Sequence, residues 1–333
     1  MAAADLVAGR LTARRLWLVA SVLLAALPLA VGIALRSTAG GSLPQLAWLL
    51  FLGSSVHVAA TGWFYSVAEV RAHMAAHPAR YLWAPLGLVA VLAIAAATLT
   101  GRQLGWLLLG FFGWQFFHFQ KQNLGIAALA ARSCRAPGLS VVERRTLVGA
   151  GVGGTMALIG HPRLLQLVGM TAHGWLFAAG VAGYGLAVLV GVGALGRRPA
   201  ADRPVVFAAV FLLSLLFFLP VFCFGSPYAA VAGLTIAHGL QYLMLMAFLA
   251  GRPTEGRPAR VGLLMLLNIA VAGGVVVNWT SHQHGGGLGA RLVFGGYLGL
   301  TCAHFVIDAG LWRLREEFPR RFLTVRLPFL LSR

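Results

Sequence analysis

Four histidines and one aspartate are the residues of this chain with the most chemistry to offer. His57, His118, His238 and His304 each fall inside a long apolar run, and Asp308 follows His304 by four positions. An ionisable side chain in hydrocarbon is costly unless paired, and normally faces the interior of a helix bundle. Several imidazoles with a carboxylate form a donor set that suits iron, copper or zinc. The expectation is a metal ion held by His57, His118, His238 and His304, with Asp308 as a further ligand or as the group that orients a ligating imidazole. Iron is the first choice, with copper and zinc as alternatives, because iron with an open coordination position suits oxygen chemistry. The bland alternative is that each histidine satisfies a hydrogen bond between helices, a common role in membrane bundles.

Polar companions accompany these histidines at helical spacing. Gln115, His118 and Gln122 stand at i, i+3 and i+7, and Gln241 and Tyr242 follow His238 at i+3 and i+4. Residues three and four apart share a helix face. Gln122, Gln241 and Tyr242 are therefore expected to position oxygen, substrate or water beside Asp308. Lys121, the only lysine, offers Asp308 a different fate, an ion pair. Trp63, Phe64, Tyr65, Phe111, Phe112, Trp114, Phe116, Phe117, Phe119, Tyr242 and Trp312 crowd the same segments. They read either as packing or as the lining of an apolar slot for a hydrophobic substrate.

The elements that must position these groups follow from composition. Of 333 residues 59% are apolar and 10% charged, whereas soluble domains run near 45–50% and about 25%. Two soluble domains could not cover that apolar surface, and disorder is excluded by the same hydrophobicity. Three cysteines (Cys134, Cys223 and Cys302) form no disulfide framework and read as packing residues. The fold class is all-α: a polytopic transmembrane helical bundle forming one integral-membrane domain over 1–333. Runs of about 20 apolar residues mark ten spans. They cover 16–35, 45–68, 82–100, 104–130, 146–160, 172–195, 204–224, 228–250, 260–280 and 290–312. The first is read as a retained span, since it lacks a small-residue cleavage site. Glycines at 285–287 and 295–296 are expected to serve close helix packing.

Charge tests the count. The net charge is +18, and the arginines sit in short segments between apolar runs. With the N-terminus inside, 21 arginines lie in cytoplasmic segments and four (Arg36, Arg102, Arg163 and Arg291) lie outside. The cytoplasmic set includes Arg10, Arg14, Arg132, Arg135, Arg144, Arg257 and Arg333. Basic residues stay behind during insertion, so both termini are expected in the cytoplasm, with the protein in the cytoplasmic (inner) membrane. No nucleic-acid partner is implied. His57, His118, His238 and His304 then fall about 10–14 residues from the outer ends of their spans, roughly 15–21 Å deep and in one layer. His73 and His77 belong to a cytoplasmic loop and are expected to be solvated. His161, His173, His282 and His284 lie at the outer surface, where a second metal site is conceivable. No nucleotide-binding loop, dinucleotide fingerprint or serine-hydrolase elbow is present.

The segment Cys302-Ala303-His304-Phe305-Val306-Ile307-Asp308, followed by an aromatic residue and arginines, resembles the final helix of the Brp/Blh family. Members of that family are multi-span membrane proteins that cleave β-carotene to retinal with histidine-bound non-haem iron. The resemblance covers about a dozen residues, and Tyr242 occupies a place where the family carries a second histidine after His238. It implies an iron oxygenase architecture. With the histidine layer, it makes an integral-membrane metal-dependent oxygenase the leading expectation. Its substrate would be a hydrophobic lipid or isoprenoid entering from the lipid bilayer, with an external electron donor if the chemistry requires one. A proton-coupled transporter that uses the His/Asp cluster as a protonation relay is the alternative. A b-type haem protein with two axial histidines is the third.

Overall fold

The computed structural model of the chain describes residues 3–36, 44–253 and 258–331, and every regular element among them is helical. Arg257, Arg333 and the side chain of Arg10 lie outside the described residues. Among the described residues seven helical segments are long and apolar enough to cross a membrane. They are Leu11–Leu35, Leu46–Ser66, Ala79–Thr98, Gly174–Gly196, Tyr228–Ala250, Ala259–Gly285 and Leu288–Leu311. They fit a membrane protein and fall on the first three, the sixth and the last three of the expected spans.

The other three expected spans differ for identifiable reasons. The fourth lies within a single helix, Gly101–Ser133, whose central stretch Gln120-Lys121-Gln122-Asn123 is polar. The fifth lies within Val141–Gly160, which opens on Glu143, Arg144 and Arg145. The seventh is broken into Val205–Leu215 and Leu219–Cys223. Pro220 sits in the first turn of the second piece. Its ring would clash with the carbonyl four residues earlier and it has no N–H to donate, so the helix cannot run through.

The chain folds as two compact units. The first comprises Met1–Gly41, Phe112–His238 and Leu327–Arg333; the second comprises Ser42–Phe111 and Gly239–Arg326.

In the first unit, Val141–Gly160 packs along Gly174–Gly196. A Cβ added to Gly153 would stand 2.6 Å from the Tyr184 backbone nitrogen, so only a small residue allows this approach. The pair is also tied at one end. Ser140 and Glu143 form a capping box, with bonds of 3.2 and 2.7 Å. Arg198 then donates to both Glu143 carboxylate oxygens at 2.5 and 2.6 Å. Gln120, fully buried, donates to the carbonyls of Leu147 (2.8 Å) and Ser214 (3.2 Å) and so joins three helices.

In the second unit, the path from Pro44 to Ser66 is not a uniform helix. A π-helical turn at Leu52–Val56 precedes His57–Ala60, and a 3₁₀ turn follows at Thr61–Ser66. Ser54 Oγ donates back to the Leu50 carbonyl at 2.6 Å. Insertions of this kind re-aim the side chains that follow and recur at functional sites. Two glycines let neighbours close on this segment. A Cβ on Gly274 would meet Val56 at 2.8 Å, and one on Gly239 would overlap the Gly53 carbonyl. The expectation of close packing holds for Gly295, whose added Cβ would lie 2.6 Å from Ala93 Cα. It fails for Gly285, Gly287 and Gly296, which meet nothing within 4 Å. The first two belong to an exposed connection between helices, and Gly296 turns away from the contact that Gly295 makes.

Candidate metal centre

The Leu288–Leu311 helix carries His304 and Asp308 one turn apart, so they share a face. Both are buried, at 2% and 5% exposure. His304 Nε2 and Asp308 Oδ2 stand 3.7 Å apart. His57, directly after the π-helical turn, brings its ring to 5.0 Å from that of His304, edge to face. Tyr242, on the Gly233–Ala250 helix, lies with its ring 5.4 Å from His304 and 5.9 Å from His57. These four side chains, with Thr61, form one buried polar cluster in the second unit.

Hydrogen bonds order the cluster. Thr61 Oγ1 lies 2.6 Å from His304 Nδ1 and 2.8 Å from the Tyr242 hydroxyl, and Tyr242 donates to Asp308 Oδ1 at 3.0 Å. With Asp308 ionised and His304 neutral, the protons have only one arrangement. A carboxylate only accepts, so the single Tyr242 proton goes to Asp308; Thr61 must then donate to Tyr242 and accept from His304 Nδ1–H. That tautomer puts the lone pair of His304 on Nε2, the atom facing Asp308 Oδ2. Two acceptors then face one another across 3.7 Å.

This spacing tests whether the residues fit a metal. It is too long for a shared proton. It is close to the ~3.4 Å that separates two ligands at a tetrahedral angle on an ion about 2.1 Å from each. Hydrogen bonds that fix the outer ring nitrogen and the second carboxylate oxygen are the usual support for such ligands. The buried His/Asp group of this protein can hold a metal ion.

His118 and His238 form a second pair, in the first unit. Their rings are 5.1 Å apart at 77°, and Phe119 stacks on His238 at 4.0 Å. Gln122 donates to the His238 backbone carbonyl at 2.9 Å and so braces that helix. His118 is half-buried and His238 fully buried. Gln241 is buried at 1% exposure. His57 and His304 belong to the second unit, and His118 and His238 to the first.

Other expectations resolve differently. Lys121 is exposed, whereas Asp308 is buried and bonded to Tyr242, so burial argues against their ion pair. Trp63, Phe64 and Trp312 fill space by edge-to-face packing, with Phe64 5.7 Å from Trp63 and 6.4 Å from Trp312. Tyr65 and Trp114 are exposed. His73 is not simply solvated: it is half-buried and stacks flat on Phe318 at 4.1 Å, while His77 is exposed. His161, His173, His282 and His284 belong to no three-ligand group among the described residues. Thr61 is the residue that sequence reasoning passed over, although its i+4 spacing from His57 was available as a signal.

No protein-family profile, no curated protein and no solved structure matches this chain.

Proposed function

We propose that the protein is an integral-membrane, metal-dependent oxygenase, with non-haem iron as the metal and a hydrophobic lipid or isoprenoid as substrate. The observation that carries this reading is the 3.7 Å facing of His304 Nε2 and Asp308 Oδ2 in a buried cluster with His57. In this reading His57 from one helix, and His304 and Asp308 from another, hold the ion. When bound, iron with an open position supplies the ability to activate oxygen. The protein's own residues do the rest. Thr61 holds the His304 tautomer, Tyr242 fixes the Asp308 carboxylate, and the aromatic packing around Trp63, Phe64 and Trp312 excludes water. The resemblance of the last span to the Brp/Blh family favours an isoprenoid over an acyl substrate.

The topology belongs to the same proposal. The N-terminal helix (Arg14) and the C-terminal segment (Phe329) line one cavity of the first unit. In this reading both ends lie on one side of the bilayer, which requires an even number of crossings. Seven is odd, so the reading has at least one of the three less apolar helices crossing as well. Ten spans with both termini in the cytoplasm meet this condition and the arginine distribution.

The test is product analysis under isotopically labelled oxygen gas. Membranes containing the protein are supplied with β-carotene, other isoprenoids and acyl lipids in turn. Label entering an isoprenoid product, and lost in His304→Ala, supports the reading; label entering none of them contradicts it.

A proton-coupled carrier is the second reading, favoured by the continuous chain His304–Thr61–Tyr242–Asp308. Uptake into proteoliposomes driven by a pH gradient and abolished in Asp308→Asn would establish it in place of the first.

A further inference from the structure

The first unit holds a cavity of about 740 Å³ remote in sequence from the Thr61–Asp308 cluster. Its size falls within the roughly 300–1,000 Å³ of small-ligand pockets. Four arginines line it: Arg14 from the N-terminal helix, Arg132 and Arg135 from the end of Gly101–Ser133 and the turn after it, and Arg144 from Val141–Gly160. Among the described residues no acidic residue lines it. Glu143, beside Arg144 in sequence, is already held by Arg198. Phe329 and Leu139, both buried, give the cavity an apolar wall.

Two of the four arginines are set in place by backbone carbonyls. Arg132 donates to Leu331 from Nε at 3.1 Å and also from a terminal nitrogen, and Arg144 donates to Leu139 at 3.2 Å. A guanidinium has five N–H donors, so each keeps donors for a ligand. Ser133 also lines the cavity; it is 3% exposed, and its hydroxyl has no hydrogen-bond partner among the described residues. Four like charges and a buried unsatisfied hydroxyl make a site that an oxyanion would complete. Arginine pairs bidentately with phosphate, and basic pockets at the ends of membrane helices suit anionic headgroups.

We propose that this cavity binds the phosphate headgroup of an anionic phospholipid. The phosphate sits among Arg14, Arg132, Arg135 and Arg144 with Ser133 donating to it, and the glycerol and first acyl carbons lie against Phe329 and Leu139. A free phosphate would satisfy the same donors but leave the apolar wall unused, so the lipid is the better match.

The experiment uses the full chain in a neutral detergent. It is titrated separately with short-chain phosphatidylglycerol, phosphatidylcholine and inorganic phosphate, and read by direct binding and by the thermal unfolding midpoint. Phosphatidylglycerol is expected to bind and raise the midpoint, with phosphatidylcholine and inorganic phosphate ineffective at the same concentrations. The double variant Arg14→Gln/Arg135→Gln should bind about 25-fold more weakly, roughly fivefold per arginine. The charge-matched control Arg36→Gln/Arg163→Gln, whose residues do not line the cavity, should bind as wild type. Ser133→Ala should weaken binding several-fold without lowering the unfolding midpoint of the lipid-free protein. Equal protection by phosphatidylcholine or by inorganic phosphate would overturn the proposal. So would equal losses in the two double variants, or unchanged binding in Ser133→Ala.

Discussion

Thr61 and His304 are 243 positions apart in the chain and 2.6 Å apart in the structure. With Asp308 ionised and His304 neutral, Thr61 donates to Tyr242 and accepts from His304 Nδ1–H. The Nε2 lone pair then faces Asp308.

Thr61→Val keeps the shape of the side chain and removes the hydroxyl. It leaves two buried polar groups short of a partner, and should lower stability by about 1–3 kcal/mol. Metal affinity should fall about 10- to 100-fold, the usual cost of losing a group that orients a ligand. Thr61→Ser should restore both. Thermal unfolding and a competition titration with a chelator measure the two effects. A valine variant with wild-type metal affinity would remove Thr61 from the account.

The crossing of Gly239 over Gly53 is a second determinant of the cluster, since it lets the Tyr242 helix close on the segment before His57. An added Cβ at position 239 would overlap the Gly53 carbonyl. Gly239→Ala should therefore cost about 1–3 kcal/mol through overpacking and weaken metal binding as Tyr242 shifts. Gly296→Ala, which meets nothing within 4 Å, should do neither. Parallel unfolding curves of the two variants give the comparison.

Much of this was legible in the sequence. Apolar runs of span length placed seven membrane-compatible segments, because burial in lipid demands length and composition that few other structures share. The i, i+4 spacing of His304 and Asp308 put them on one face of one helix, as found. What the sequence could not supply was non-local. Tyr242 reads as a helical companion of His238, yet its hydroxyl bonds to Asp308 and Thr61, contacts that depend on which helices are neighbours. Gln122 also donates to the His238 carbonyl, a contact between helices that spacing along one helix does not show. Thr61 was passed over because a threonine in a span usually bonds its own helix. The break at Leu216–Phe218 was readable from Pro220, had its clash with the preceding turn outweighed the apolar run around it.

Lys121 offers a direct check on the alternative fate of Asp308. Breaking a buried ion pair by removing one partner costs about 3–5 kcal/mol. Lys121 is exposed, so Lys121→Met should change neither stability nor metal content measurably. A loss of that size in a denaturation experiment would show that the lysine does balance Asp308.

The Glu143–Arg198 pair gives the first unit a pH dependence. Burial alone would raise the Glu143 carboxyl, but the Arg198 bonds, the Ser140 N–H and the Arg198 charge together hold it below its ordinary 4.5. A depressed carboxylate contributes stability that is fully present above its unfolded value and is lost as pH falls through its folded value. Glu143→Gln should therefore be less stable than wild type at neutral pH, with the difference shrinking only below about pH 4.5. Unfolding midpoints of the two proteins between neutral and acidic pH would show it. A constant gap across that range would contradict the assignment.

The most direct test of the central claim is the metal content of the full chain, purified from iron-supplemented cells without chelators and measured by elemental mass spectrometry. The account predicts a stoichiometric ion, iron rather than copper or zinc. Asp308→Asn and His304→Ala should lose it and His282→Ala should keep it, while His118→Ala and His238→Ala report whether the first unit's pair contributes. Substoichiometric metal in the wild-type protein, or full occupancy in both Asp308→Asn and His304→Ala, would contradict it.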